Sequence, residues 1–523
     1  MRLARIPLLL AILYPLGAAD EILQRPTAAP VRVSLASPFT AECDAGVTAF
    51  RYLNSEVETW VAVNPNNPSH FVGVWQQDRY ADAGARGLLT GVSMDAGRSW
   101  TVTAAPLSRC TGGTAANRGD FERASDPWVT FSPDGSVYQI SLSFNRSNGR
   151  QGVLVSRSSD GGLTWGAATA LIDETGAVTD DKESITADPY DARYVYAVWD
   201  RLTGTSSRNP TDFHGPVWFS RTTDSGASWE PARAIFDPGG NAQTIGNQVV
   251  VLPDGTLVDV FMMITNASSP MASATTMSVA IIRSKDKGLT WSDPVVVAIS
   301  QATGVSDVKT STSVRTAATL PAAAVDPESG VLYVVWQDAR FSAGQREGIG
   351  LARSMDGGLT WTSPVQVNQA PDVQAFTPAV AVGHDGTLAI TYYDFRQDTP
   401  DPAVLITNYW RITSLDRGET WTEVAQAAPF DLMAAPNSRG LFVGDYQGLA
   451  AAGSTILAFF VTATSSGGNP TDVFAATRPA GTDRRHNGHV EVNRVPLMRE
   501  IEMRTERKPE PDGKLRRFLR LFR

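Results

Sequence analysis

The chain of 523 residues holds two cysteines, Cys43 and Cys110, and five histidines. Two cysteines cannot frame a disulfide-held scaffold or a four-thiolate metal site. The histidines, at 70, 214, 384, 486 and 489, lack metal-ligand spacing apart from the tail pair HNGH, so neither a metal nor a cofactor is expected. Positive charge is short as well. Forty-five lysines and arginines stand against 54 acidic residues, a formal net charge of −9, which argues against a nucleic-acid partner and reads as solubility. No nucleophile elbow, phosphate loop or dinucleotide fingerprint occurs. Past the N-terminus, no apolar run is long enough to cross a bilayer. Apolar content itself is ample, 42% of residues, and supports a large core.

The first residues read as a targeting segment. Arg2 and Arg5 precede the apolar IPLLLAILYPLG (6–17) and the small residues Ala18 and Ala19. This order predicts a signal peptide over 1–19, cleaved near Ala19, and a secreted or periplasmic protein. At the other end, 483–523 is a charged tail expected to be disordered. It closes on Leu515, Phe518, Leu519 and Phe522 at helical spacing among Arg516, Arg517, Arg520 and Arg523. A short basic amphipathic end of this kind suits weak contact with a membrane surface.

Between these ends the chain repeats itself. SMDAGRSW (93–100), SSDGGLTW (158–165), TTDSGASW (222–229), SKDKGLTW (284–291), SMDGGLTW (354–361) and SLDRGETW (414–421) fit one template. Each is preceded by a hairpin pattern, such as TWVAVNPNNPSHFVGVWQQDR (59–79) or LPAAAVDPESGVLYVVWQDAR (320–340). The alternation, the β-branched residues and the Pro/Asp/Gly turns predict paired strands. A third strand leads into each octapeptide and a fourth follows it, at a spacing of roughly 55–75 residues, the grammar of a β-propeller. The expected fold is all-β, a single propeller of four-stranded antiparallel blades over 20–482. Seven blades are favoured over six, with the ring closed by an N-terminal strand, VRVSLASPF (31–39). Asp95, Asp160, Asp224, Asp286, Asp356 and Asp416 fall in the turn between strands three and four, where Asp, Gly and Ser/Thr build a local loop. A structural part recurs around a ring; a catalytic device has no reason to.

The octapeptides resemble the Asp box, or BNR repeat, of sialidases and other secreted glycan-processing propellers. The resemblance implies an exported glycoside hydrolase of exo-α-sialidase type, acting as a monomer on the terminal acidic sugars of a glycan. The alternatives are a non-catalytic glycan- or protein-binding propeller, and a polysaccharide lyase or endo-hydrolase on the same scaffold. Sialidases grip the substrate carboxylate with three arginines and attack through a tyrosine. GDYQGLAAAGSTIL (444–457) resembles the stretch carrying that tyrosine, which makes Tyr446 the nucleophile candidate. Two features depart from the family pattern: Arg-Ile-Pro stands only at 5–7, and apolar AFFV (458–461) occupies the place of the glutamate expected after the tyrosine.

Meander connectivity sorts the remaining candidates. Turns 1–2 and 3–4 of each blade share one face, while loops 2–3 and the connections between blades share the other. The second face collects Arg79, Arg315, Arg340 and Arg396 as carboxylate-binding candidates, with Asp126 and Glu183 at inner-strand starts as acid/base and helper. It also holds Cys43 and Cys110, whose pairing would pin the loop around 119–126.

Overall fold

The computed structural model describes residues 29–205, 209, 212–266, 275–464 and 468–479. The expected signal peptide (1–19) and charged tail (483–523) lie outside the described residues. Everything regular is β: among the described residues there is no α-helix, only single 3-10 turns such as Arg109–Thr111 and Leu432–Ala434.

Four-stranded antiparallel units follow one another along the chain. Unit one is Glu56–Asn64, Asn67–Arg79, Ala85–Ser93 and Thr101–Thr103; unit two is Arg123–Phe131, Val137–Phe144, Arg150–Ser158 and Thr169–Thr175. Unit three is Thr179–Ala187, Val195–Leu202, Val217–Thr222 and Arg233–Phe236; unit four is Ala242–Val251, Leu257–Thr265, Thr276–Ser284 and Val295–Ser300. Unit five is Ala322–Val325, Leu332–Asp338, Gly348–Ser354 and Val365–Gln366; unit six is Ala375–Val382, Leu388–Asp394, Ile406–Ser414 and Thr422–Ala425. Unit seven takes three strands from the end of the chain, Gly448–Ala452, Thr455–Ala463 and Thr471–Pro479. Its fourth comes from the beginning, Val31–Arg32, with Val31 opposite Ala475.

Strand one turns into strand two where the sequence supplies Pro-Asp-Gly. In unit two the Ser132 amide donates to Ser136 O at 2.8 Å, the Asp134 carboxylate accepts from the Ser136 amide, and Gly135 takes the left-handed φ of +85°. The core lies between units rather than within them. Tyr138, Ile140 and Val153 of unit two pack on Ile185, Ala197 and Trp199 of unit three. Units four and five, and five and six, pair their faces in the same way. Unit seven contributes Ile456, Phe459 and Val473 to a cluster that includes Phe71 and Trp75 of unit one and Phe376 and Tyr393 of unit six.

The octapeptides are the corners that fix this spacing. In all six, the Ser or Thr at position seven gives its backbone N–H and its hydroxyl to the two oxygens of the Asp, at 2.8–2.9 and 2.5–2.6 Å. The position-five glycine, at φ between +81° and +96°, lies against the preceding unit. A Cβ on Gly288 would stand 2.6 Å from Phe219 Cζ of unit three, and one on Gly226 2.7 Å from Tyr138 Cε1 of unit two. Gly97 of unit one faces Leu457 of unit seven in the same manner. The tryptophan closes the corner: the Trp100 indole donates to Gly97 O at 3.1 Å and its ring packs on Phe459.

On the opposite face Cys43 is disulfide-bonded to Cys110, with the Cα atoms 4.8 Å apart, tying the segment before unit one to the connection between units one and two. Buried Asp44, beside it, binds Arg51 at 2.6 Å and Arg86 at 3.0 Å. A small accessory sheet, Val305–Ser306, Ser313–Arg315 and Leu441–Phe442, lies outside the units and carries Arg315 and Phe442.

Candidate functional site

The first strand of five units breaks register at one equivalent step, between Val57 and Trp60, Ser125 and Trp128, Asp181 and Ser184, Ile245 and Gln248, and Phe376 and Ala379. At that step the backbone turns left-handed: Glu58 at φ +55°, Asp126 at +49°, Lys182 at +53°, Gly246 at +73° and Thr377 at +50°. Only one of the five is glycine. Non-glycine residues in this region cost of order 1–3 kcal/mol each and concentrate where a side chain must be aimed. Here the bulges aim Glu58, Asp126 and Lys182 at one another.

Lys182 is the hub. Its buried ammonium donates to Asp126 Oδ1 at 2.6 Å and Asp445 Oδ2 at 2.9 Å, with Glu58 Oε1 at 3.7 Å and Asp181 Oδ1 at 3.9 Å. Burial alone would depress it, but Asp126 and Asp445, then Glu58 and Asp181, hold it well above the ordinary lysine range. Asp445 also receives both prongs of Arg315, one at 2.9 Å, and these two cations outweigh burial to keep its carboxylate below the usual range. Glu58 is the opposite case. Burial, then the charge of Asp126, pushes its carboxyl up to about 8, and Gln76 donates to Oε2. Asp181, half-buried, is also raised by burial, against the pull of Lys182.

The cluster forms one wall of a cleft of about 610 Å³, lined by Arg79, Asp126, Asp181, Lys182, Arg315 and Arg439 among others. Five arginines line it, and among them Arg315 lies close enough to Arg79 and Arg439 to act on both. Arg79 donates to Gln76 Oε1 at 2.5 Å and to Ser438 Oγ at 3.2 Å. It and Arg315 sit over the Phe442 ring, at 5.0 and 4.3 Å from the centroid. Burial and then the charge of Arg315 lower Arg79 to about 10, and the same two causes lower Arg439. Arg315, which burial alone would depress but its pairing with Asp445 raises, thus lowers both of its neighbours, and a wall so crowded with cations makes a site for an anion.

Of the expected residues, the structure brings Arg79, Arg315 and Asp126 into this cleft. Arg340 and Arg396 are elsewhere. Arg340 bonds Asp338 and the Ile299 carbonyl of unit four. Arg396 bonds Asp394 at 2.6 Å and Glu423 at 2.5 Å and lies 3.9 Å over the Trp410 ring. Both side chains are used up in bracing outer strands. Tyr446 and Glu183 are not in the cleft either. They line a narrower cavity that shares Lys182 with it. The Tyr446 hydroxyl donates to Pro127 O at 3.2 Å, its ring meets Trp128 and Trp60 at 5.4 and 6.3 Å, and burial, then Glu58, holds the phenol well above 10.

Lys182, Asp445, Arg439 and Glu58 carried no expected role from the sequence. A signal existed. EVETWVAV (56–63) and ASDPWVTF (124–131) align on Trp60 and Trp128, which sets Glu58 opposite Asp126 two residues before each tryptophan.

Residues 215–439 match the family described as BNR repeat-like domain. No curated protein matches the chain. Among solved structures the fold is similar to the Hadza microbial sialidase Hz136, 18% identical over 78% of this chain and 74% of that one, TM-score 0.43. It is also similar to the α-L-arabinofuranosidase Arb93A of Fusarium graminearum, 13% identical over 86% and 98%, TM-score 0.45. A third is the leech intramolecular trans-sialidase, 11% identical over 82% and 92%, TM-score 0.41. Four of the six Asp boxes, all of one construction, fall inside the matched stretch, so residues 215–439 are similar to the BNR repeat-like family and the two boxes before them repeat the same pattern.

Proposed function

We propose that the chain is an exported glycoside hydrolase of sialidase-like type that takes the carboxylate of a terminal acidic sugar into the cleft. Its scaffold, in this reading, is a propeller of seven blades, each four-stranded unit being one, closed by Val31–Arg32 on Thr471–Pro479. The observation that carries the proposal is the convergence of Arg79, Arg315 and Arg439 in one cleft wall. A planar guanidinium forks onto carboxylate oxygens, and an anion between mutually repelling cations relieves their repulsion.

The chemistry is assigned to carboxyl groups of the cleft rather than to Tyr446. Asp181, whose carboxyl is raised by burial, gives its proton to the leaving glycosidic oxygen as the C–O bond breaks. Water attacks the anomeric carbon and loses a proton to Asp126. Tyr446, capped by Pro127 O and held as a phenol, keeps the aromatic packing instead. One observation favours a second reading, glycan binding without turnover: Asp126 is already engaged by Lys182 at 2.6 Å.

Fluorogenic α-sialoside, uronide and α-L-arabinofuranoside substrates separate the readings. The expected result is turnover of acidic glycosides alone, lost in Asp181→Asn with binding retained, and a raised KM in Arg439→Ala. Saturable binding of acidic glycans with no product from any substrate would establish the second reading. Preferential turnover of the neutral arabinofuranoside would overturn the acidic-sugar assignment.

A further inference from the structure

Beside the cleft, on the far side of Lys182, lies a cavity of about 40 Å³ walled by Trp60, Trp128, Tyr446, Glu183, Asn247 and Thr377 among others. Its polar lining is one-sided. Both carboxyl oxygens of Glu183, a side chain 2% exposed, lack a hydrogen-bond partner apart from its own backbone amide. Asn247 Oδ1 and Thr377 Oγ1, equally buried, lack one too. The Asn247 amide is oriented by Asp200, whose Oδ1 accepts from Nδ2 at 2.9 Å, so the carbonyl end is the free one.

Four of the side-chain donors on the wall are directed elsewhere. Lys182 serves Asp126 and Asp445, the Tyr446 hydroxyl serves Pro127 O, Gln248 Nε2 serves Ala323 O, and Gln447 Nε2 serves Val443 O. Four buried, unpartnered oxygens on residues walling one small space, of which only the Thr377 hydroxyl can donate as well as accept, form an arrangement that a neutral interior does not leave unmet. Thr377, at φ +50° in the bulge that five of the inner strands share, is fixed there by its amide donating to Gln337 Oε1 at 3.0 Å.

We infer that this cavity is a binding site for one desolvated monovalent cation, of sodium to potassium size, held by Glu183 Oε1 and Oε2, Asn247 Oδ1 and Thr377 Oγ1. Asp445 on the same wall is already paired with Lys182 and Arg315, so Glu183 is the carboxyl left to balance one positive charge. Burial, then the charge of Asp126, holds it well above the usual range, an effect that a cation between its oxygens would offset. The Lys182 ammonium on the same wall weighs against a divalent ion, which draws on several carboxylates. The indole and phenol rings complete the shell with surfaces that attract cations.

Thermal unfolding of the full chain tests this without reference to hydrolysis, so the result is independent of the proposed activity. Midpoints are compared in sodium, potassium, ammonium and tetramethylammonium chloride at constant ionic strength, the last being too large for the space. The expected result is a saturable rise with at least one small cation and none with tetramethylammonium. At a hundredfold excess over Kd the folding equilibrium constant rises about 100-fold. Glu183→Gln, of the same shape, should abolish the rise, and Thr377→Val should weaken it. Equal midpoints in all four salts would mean water alone and overturn the inference. So would a cation effect that survives in Glu183→Gln, or stabilisation by calcium chloride with none by the monovalent salts.

Discussion

Gly288→Ala measures how tightly an Asp-box corner holds one unit against the next. The backbone there has φ +87°, and the new Cβ would lie 2.6 Å from Phe219 Cζ and 3.0 Å from Cε1. Phe219 cannot swing away: it is 1% exposed and packed edge-on against Trp291. Gly135→Ala is the control. Its φ is +85°, the same region, and a Cβ there meets nothing within 4 Å. Both substitutions carry the left-handed penalty of about 1–2 kcal/mol for an L-residue, and both recover about 0.4–1 kcal/mol from a stiffer unfolded chain. Only Gly288→Ala adds overpacking, about 1–3 kcal/mol in a filled interior. Gly135→Ala should therefore cost about 1 kcal/mol and Gly288→Ala about 2–4 kcal/mol. Equilibrium urea unfolding followed by tryptophan fluorescence reads both, as a lower midpoint at an unchanged slope. In a Phe219→Ala background the two costs should converge, because the clashing ring is gone. Equal costs in the parent chain would refute the claim that the corner glycines set the distance between units.

Lys182→Met should destabilise by about 3–5 kcal/mol, because it strands Asp126 and leaves Asp445 to Arg315 alone; adding Asp126→Asn should recover part of that, as urea midpoints will show. The Asp95, Asp160 and Asp286 carboxyls are lowered to about 2, chiefly by the hydroxyls of Ser99, Thr164 and Thr290, so the stability they lend is present above their ordinary value of 3.8 and lost as pH falls through about 2. Ser99→Ala should move the Asp95 carboxyl back toward 3.8 in an NMR titration. Opening the Cys43–Cys110 bond, whose ends are 67 residues apart, should cost about 4 kcal/mol by chain entropy and shift the urea midpoint of the reduced protein. Arg396→Ala should lower that midpoint and leave acidic-glycan binding intact, whereas Arg315→Ala should abolish the binding.

What the sequence announced was local. An Asp box closes within eight residues, on its own hydroxyls, glycine and indole, so its construction is written in the order of those residues. The Pro-Asp-Gly hairpins are equally self-contained. The separation of the corners from the charged face follows from the meander alone, since every strand reverses the last. Arg340 and Arg396 were misplaced because the pattern Asp-x-Arg at the end of a second strand fits a bracing pair as well as a binding group. Their fate is settled by partners distant in sequence, Ile299 and Glu423. Tyr446 was misplaced for a similar reason: its motif fixes the strand but not which of two neighbouring cavities the ring enters.

The convergence of Glu58, Asp126 and Lys182 was legible only in part, for a different cause: the tryptophan alignment matches Glu58 with Asp126, but nothing in the residue order shows the bulge that turns them toward Lys182. Strict alternation along an inner strand predicts which side chains face a neighbouring unit, and a bulge breaks that alternation at one step. Three charged residues held at positive φ are costly locally, of order 1–3 kcal/mol each, and no propensity favours them there. The strain persists because both ends of each inner strand are over-determined. Upstream lie the ion pairs to Asp445 and Arg315; downstream the strand is locked between apolar faces such as Val72, Val74 and Val129. Rigidity supplied by the Asp-box corners on one face thus allows a strained, charged cluster on the other. A variant that loosens a corner, such as Gly288→Ala, should therefore disturb Lys182 less than one that loosens the packing beneath Glu58 and Asp126. Val129→Ala, in unit two directly after the bulge, is the substitution that should cost the cleft its anion affinity without touching a charge.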